Sequence, residues 1–529
     1  VNPEIKMAIA AKTYPTFKMP APTVRVPGQV NFGETDPDLK CQSAYLVGVC
    51  GSGMKALAEL LAGMGWDVAG SDNNASEDTT AAFASRGLRI HSGHQGRFLE
   101  KQTDVLVYSP AVGVENAERQ EAQRLGIPQL SYSQMLGTLM RGRSGVCIAG
   151  THGKSTTTAM TGCILKAADL HPAVVIGAEV CGIGQSGWYG AGEHFVVESC
   201  EFQRNFLDLS PRYAAILGIE PDHFDCYPHF DEAIAAFAAF AQKLPVEGRL
   251  LIPVHCEASK AACVAAAAPI ETFGVEIAAD WQACDLRQTA DGTRFRLFQG
   301  GDYFTEVSLR IPGAHNVQNA LAAAALAHRA GARPAAIREG LREFQGIRRR
   351  FEQVGSWRGV TMIDDYAHHP TAVSATLATA RERYPRRKLW CVFQPHQISR
   401  TRALFDDFAK SLVAADQVLL VPVFAAREVV HDEPVQMSHD LAARVVAAGG
   451  HARSADTLDL AQRTLEDELE PGDVLITMGA GDIGKVHHAF TRRLQGHHTA
   501  RRTSGSLQLV EDRWAGAVFH HAPERGRAG

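Results

Sequence analysis

Seven consecutive residues, Gly150-Thr-His-Gly-Lys-Ser-Thr156, supply what a polyphosphate needs, and they follow the apolar stretch Gly145-Val-Cys-Ile-Ala149 directly. A strand that turns through glycines into a helix aims successive backbone N–H groups, and the positive end of a helix dipole, at one point. Lys154 is placed to neutralise β- and γ-phosphate oxygens, and the Ser155 hydroxyl to occupy one ligand position of a Mg²⁺ ion. The segment Thr157 to Leu165 reads as the helix that follows. The spacing G-x-x-G-K-S is shorter than the full Walker pattern, so the loop reading rests on the strand before it and the helix after it.

Other candidate groups also fall at predicted strand ends. Glu198-Ser-Cys-Glu201 and Glu220-Pro-Asp-His223 each follow an apolar strand, which places Glu201 and His223 at the carboxyl edge of a sheet, where open α/β sheets bind ligands. Glu201 with Ser155 suits Mg²⁺, a hard ion that prefers oxygen; His223 as a further ligand also suits Mn²⁺. A structural hydrogen-bonding role for His223 is the competing reading. Gly48-Val-Cys-Gly-Ser-Gly53 resembles a dinucleotide turn but has Cys50 where that fingerprint needs glycine, which argues against NAD and leaves another nucleotide diphosphate. Asp72, ending the next strand, is placed to accept from a ribose hydroxyl. Asp364-Asp-Tyr-Ala-His-His-Pro-Thr371 and Phe393-Gln-Pro-His-Gln-Ile-Ser-Arg-Thr-Arg402 close two further strands, with Arg400 a natural carboxylate clamp.

The elements that must hold these groups form three α/β blocks. The spacing predicts a βαβ unit from Ala44-Tyr-Leu-Val-Gly-Val49 through a helix over Met54 to Met64 to the strand Asp67–Asp72, then strands at 104–108 and 126–130. A second block runs from Gly145 to about Phe344, with strands near 194–198 and 213–217 and an Ala-rich helix from about Asp231. The third, from about Arg349, has strands at 360–364, 388–393, 417–421 and 474–478 that predict a parallel sheet with crossover helices. The expected boundaries are an extension over 1–42, domains at 43–143, 144–346 and 347–495, and a mobile tail over 496–529.

Composition narrows the class. At 529 residues the chain exceeds one core, and a net charge of −5 offers no general affinity for nucleic acid. No apolar run reaches the roughly 18 residues of a membrane span. Eleven cysteines stand singly, without a C-x-x-C pair, which fits reduced thiols and a cytoplasmic setting.

Taken in order, these motifs resemble those of the Mur ligases over about Ala44 to Leu494. Ile311-Pro-Gly-Ala-His-Asn-Val-Gln-Asn319 is similar to that family's adenine-side helix start, and Phe344-Gln-Gly-Ile-Arg-Arg-Arg-Phe351 to its hinge. The resemblance implies three α/β domains, each a mostly parallel sheet flanked by helices: a Rossmann-like amino-terminal domain, a P-loop ATPase domain, and a Rossmann-like carboxyl-terminal domain that closes over ATP and amino acid. It implies ATP-dependent ligation of L-alanine to the lactyl carboxylate of UDP-N-acetylmuramate through an acyl phosphate. Alternatives are a recycling ligase that adds a tripeptide to the same sugar, and a sensor without catalysis.

The catalytic set it implies is Lys154, Glu201, His223, His368, His396 and Arg400, with Ser155, Glu201 and His223 at the metal. The ATP set is Gly150, Thr151, His152, Gly153, Lys154, Ser155, Thr156, Asn316, Asn319, Arg350 and Asp365. The UDP-sugar set is Gly48, Gly51, Ser52, Gly53, Asp72 and Ser109, joined by Tyr366 and His368. A monomer or homodimer is expected, without membrane insertion. Two departures stand out: Glu198-Ser-Cys-Glu-Phe-Gln203 replaces E-A-D-E-S-D, and Gln397 stands where relatives carry arginine.

Overall fold

The computed structural model describes residues 43–289, 292–426, 428, 433–487 and 490. The extension expected over 1–42 and the tail over 496–529 lie outside the described residues. Two compact units result, the first closing at Arg350 and the second opening at Phe351. No helix among the described residues is long and apolar enough to cross a membrane.

The first unit holds two sheets. In the smaller, β1 (Ser43–Val47), β2 (Asp67–Asp72), β3 (Arg89–Ser92), β4 (Val105–Tyr108) and β5 (Gln129–Ser131) lie in the order β3-β2-β1-β4-β5, all parallel. Chain order reverses at β1, so the crevice above β1 and β4 is the topological switch point. The strand expected from Gly126 starts at Gln129, because Gly126 (φ 72) is spent capping the preceding helix in the left-handed region.

The larger sheet has ten strands: β6 (Ser144–Ala149), β7 (Ala173–Val180), β8 (Gln185–Trp188), β9 (His194–Glu198), β10 (Pro211–Ile216), β11 (Arg249–Pro253), β12 (Ile270–Val275), β13 (Trp281–Thr289), β14 (Gly292–Gln299) and β15 (Asp302–Leu309). β6 is central, flanked by β9 and β10 and buried along its whole length, which explains its unbroken apolar reading. The antiparallel run β13-β14-β15 and the antiparallel edge β8 escaped the sequence reading. The alternation of apolar and polar residues along β14 belongs to a strand covered on one face, as in Thr293–Leu297.

Helix α1 (Ser52–Gly63) connects the two sheets of this unit. Its Glu59 is buried and accepts from the backbone N–H of Ser186 (2.7 Å) and Gly187 (3.1 Å), while Arg86 pairs with the same carboxylate and donates to the Gly184 carbonyl (2.8 Å). Glu59→Ala strands two buried backbone donors and Arg86, so a loss of about 2–4 kcal/mol is expected, read as a lower urea midpoint with unchanged slope.

In the second unit, β16 (Glu352–Trp357), β17 (Val360–Asp365), β18 (Leu389–Phe393), β19 (Gln417–Leu420), β20 (Ala452–Ser454) and β21 (Val474–Met478) run in the order β16-β17-β21-β18-β19-β20. All neighbours are parallel except β16 against β17, an edge hairpin at the margin of the mostly parallel sheet that was expected.

Candidate functional site

The loop expected to hold phosphate forms where β6 ends. Gly150 (φ 128) passes so close to the neighbouring chain that a Cβ would sit 2.8 Å from the Leu217 nitrogen, and at Gly153 (φ 78) a Cβ would lie 2.3 Å from Asn319 Oδ1. Both positions therefore require glycine. Gly153 is the N-cap of α2 (Lys154–Ala167), which begins three residues earlier than the sequence suggested, so Lys154 and Ser155 open the helix. Thr151 is fixed by its own N–H to the Gly218 carbonyl (2.9 Å) and by the Glu220 N–H to its hydroxyl (2.9 Å). His152 Nε2 lies 3.4 Å from Glu220 Oε2, and Thr156 is buried in the first turn of α2.

Four predicted groups converge here. Lys154 Nζ donates to the Gly150 carbonyl (2.6 Å) and to Glu201 Oε1 (3.0 Å), and His223 Nε2 stands 3.5 Å from the same oxygen. The Ser155 hydroxyl donates to Glu198 Oε1 (3.0 Å), whose other oxygen accepts from the Gly177 N–H (2.6 Å). Glu201 is only 3% exposed. Burial pushes its carboxyl up, but the Lys154 charge and His223 together outweigh that and hold it below the usual carboxylate range. Burial likewise pushes the Lys154 ammonium down, and Glu201 foremost raises it above its ordinary value. The result is an ion pair at the mouth of an N–H cradle. Cys200, the residue before Glu201, is pushed up to about 12 by burial and stays a thiol.

Asn316 and Asn319 lie in the first turns of α3 (Ala314–Arg329), both buried; Asn319 donates to Asn316 Oδ1 (3.2 Å), and its own oxygen faces Gly153. Burial and the nearby Arg350 charge push His315, beside them, down to about 4, so the start of α3 carries no cationic imidazole at neutral pH.

In the smaller sheet of this unit, Gly48 (φ 82) follows β1 and sits so close to Ser109 that a Cβ would be 2.9 Å from that residue's own. Gly53 is equally tight against the Tyr132 ring (2.9 Å), and Gly51 and Ser52 lead into α1. Asp72 Oδ2 accepts from the Cys50 N–H (2.9 Å) and Oδ1 from the Asn74 N–H (2.8 Å). Its carboxylate thus braces the turn, a task the sequence reading had not assigned beside the ribose contact. Burial, then Asp72, pushes Cys50 up to about 12.

The second unit gathers its own set. Tyr366, His368, His396 and Phe424 form a chain of ring contacts, with centroids 5.3, 5.9 and 5.7 Å apart. The buried Arg400, on the short helix Ile398–Ala403, donates to His396 Nδ1 (3.1 Å) and to the His396 carbonyl (3.2 Å). His368 Nδ1 faces the Tyr366 carbonyl at 2.8 Å and must donate to it, which puts the basic lone pair of its neutral ring on Nε2. His396 has the opposite tautomer, because its Nδ1 accepts from a guanidinium. Asp365 receives the N–H groups of Phe351 and Ala367 (2.7 Å each), so it ties the first residue of this unit to the end of β17.

Three stretches match domain families in chain order: residues 43–144 match the Mur ligase family catalytic domain, 148–327 the Mur ligase middle domain, and 349–481 the Mur ligase glutamate ligase domain. The UDP-N-acetylmuramate–L-alanine ligase of Desulfitobacterium hafniense is 38% identical over 443 residues, 84% of this chain and 98% of that protein. The chain belongs to the Mur ligase family. Among solved structures, this Mur ligase is similar to the UDP-N-acetylmuramate–alanine ligase of Thermotoga maritima (27% identity, TM-score 0.72, 86% of this chain and 99% of that one). It also resembles the murein peptide ligase of Psychrobacter arcticus (25% identity, TM-score 0.64, 86% and 98%). The three α/β sheets are those of the family, and with the family comes the use of ATP.

Sequence reasoning missed several partners of this Mur ligase's site. Glu198 was visible only as part of a motif, yet it holds the Ser155 hydroxyl. The Tyr227 hydroxyl donates to the Glu201 carbonyl, a contact across 26 residues that no local pattern announces. Glu428 receives the Ser399 hydroxyl and the N–H of Ile398 and Ser399, which fixes the helix that carries Arg400.

Proposed function

We propose that this Mur ligase joins L-alanine to the lactyl carboxylate of UDP-N-acetylmuramate, with cleavage of ATP to ADP and phosphate, in the cytoplasmic synthesis of peptidoglycan precursors. The observation that carries the substrate assignment is the 38% identity over 98% of a UDP-N-acetylmuramate–L-alanine ligase. The Lys154–Glu201–His223 cluster supports the chemistry.

Joining a carboxylate to an amine in water is uphill, so the carboxylate must first be activated. The lactyl oxygen attacks the γ-phosphorus in line and ADP leaves; backbone N–H groups at the start of α2 and the Lys154 ammonium stabilise the charge on the transferred group. The alanine nitrogen then attacks the acyl carbon, and the tetrahedral species expels phosphate. His368, with its basic lone pair on Nε2, is the proton acceptor for the amine, and Arg400 holds the His396 ring beside it. By this reading residues 43–143 hold the UDP sugar, 144–346 the nucleotide, and 347–495 the amino acid.

The donors around Lys154 fit a divalent cation. Glu201 offers a carboxylate, Ser155 a hydroxyl, and His223 an imidazole whose Nδ1 is buried without a hydrogen bond. Mg²⁺ held by Ser155, Glu201 and His223 would neutralise phosphate oxygens, and the imidazole nitrogen admits Mn²⁺ as well.

Phosphate release measured with ATP, Mg²⁺, UDP-N-acetylmuramate and a panel of amino acids tests the assignment. L-Alanine should be fastest, with glycine and L-serine slower. Selective use of the tripeptide L-alanyl-γ-D-glutamyl-meso-diaminopimelate would move the protein to the murein peptide ligases, and no release with any acceptor would make it a sensor.

A further inference from the structure

The turn after Glu201 is strained, and the strain presents a cation that the reaction as described does not use. The 3₁₀ segment Phe202–Asp208 is interrupted by Gln203 (φ 50, ψ 24) and Arg204 (φ 58, ψ 26). Two successive non-glycine residues in the left-handed region are costly, on the order of 1–3 kcal/mol each, and persist only where the surroundings impose them. Here they do. The Arg204 N–H bonds the Glu201 carbonyl (2.8 Å), the Tyr227 hydroxyl bonds the same carbonyl, and the Phe206 N–H bonds the Cys200 carbonyl (3.0 Å).

The far side of the turn is tied to the smaller sheet's domain. The Ser133 hydroxyl donates to Asp208 Oδ2 (2.6 Å) and lies 3.2 Å from Asn205 Oδ1, and Ser133 follows Tyr132, the residue packed against Gly53 in the proposed diphosphate turn. Arg204 therefore projects from a segment that runs from the phosphate-loop acid to the helix beside the sugar-nucleotide turn. Its side chain is exposed, and its guanidinium makes no hydrogen bond or ion pair among the described residues. Its backbone N–H is held on the Glu201 carbonyl (2.8 Å), so the side chain starts beside the backbone of that acid. A surface arginine that only serves solubility needs no such backbone.

We infer that Arg204 is a further substrate-binding residue, whose guanidinium receives the carboxylate of the sugar acid and holds it toward the phosphate loop. This rests on the sugar-nucleotide assignment above. A planar, permanently charged fork matches a carboxylate with two parallel hydrogen bonds, and a charge-assisted contact of this kind is the sort lost with a large penalty.

Binding by calorimetry to the full chain, with UDP-N-acetylmuramate and with UDP-N-acetylglucosamine, which keeps the diphosphate and the sugar but lacks the carboxylate, tests this. Arg204→Ala should weaken the first ligand about tenfold or more and the second less than about threefold. Arg204→Gly, free to adopt the left-handed backbone, should show the same selective loss with a Tm equal to or above that of the parent, which separates binding from folding. Equal losses for both ligands would assign Arg204 to the diphosphate and overturn the inference, as would no loss for either. A parent protein that bound neither ligand would instead sink the sugar-nucleotide assignment.

Discussion

Lys154→Ala is expected to lower the ligation rate by at least about 10²–10³-fold, because it removes a side-chain cation held at the loop proposed to cradle phosphate. UDP-sugar affinity should stay within about threefold, since the Gly48–Gly53 turn and Asp72 are held by bonds that do not involve Lys154. Stability should fall as well. Glu201 is almost fully buried, and without Lys154 its carboxylate loses its ammonium partner; breaking such a pair from one side costs about 3–5 kcal/mol unless the acid takes up a proton. The double variant Lys154→Met with Glu201→Gln removes both charges, and should regain most of the stability while remaining inactive. Rate measured against chemical denaturation separates the two roles. Equal loss of turnover and of UDP-sugar binding in Lys154→Ala would show that the two sites are not independent.

Glu201→Gln carries the second large effect. The amide keeps the shape of the side chain but cannot neutralise Lys154 or offer a carboxylate to a cation, so a fall of about 10²-fold in turnover is expected, with a higher Mg²⁺ concentration needed for half-maximal rate. The pH dependence has a defined sign. The Glu201 carboxyl lies below its ordinary value of 4.5 in the folded protein, so the unfolded chain binds its proton first on acidification. The stabilisation from this group is therefore complete above that ordinary value, and is lost as pH falls through the folded one. Acid unfolding curves of the parent should fall more steeply there than those of Glu201→Gln. Parallel curves would mean that Lys154 and His223 do not hold the carboxylate as described.

Much of the site was legible because its residues lie in short, contiguous motifs at strand ends. A strand, two glycines and a Lys-Ser pair predict a phosphate loop without any knowledge of the neighbouring strands, and Gly150 and Gly153 leave no room for a Cβ. Apolar runs such as Val146–Ala149 likewise announce a strand buried on both faces. The antiparallel strands β13 to β15 and β16 were less visible, since a half-exposed strand with polar alternation gives a weak local signal and its pairing depends on turns elsewhere.

What the sequence determined by itself was the order of the α/β units, the strand–glycine loop–helix around Gly150 to Thr156, and the identity of the groups brought to the strand ends. Residue type and near-neighbour spacing are enough for these, because a helix or strand fixes the direction of side chains a few positions apart. Tertiary structure alone decided which acid meets which base. Glu201 pairs with Lys154 across 47 residues, Ser155 gives its hydroxyl to Glu198, Asp72 braces the Cys50 turn, and the left-handed turn at Arg204 is held by the Glu201 carbonyl, which accepts from the Arg204 N–H and the Tyr227 hydroxyl. The physical reason is range: hydrogen bonds and ion pairs act over about 3 Å in space and carry no memory of separation along the chain.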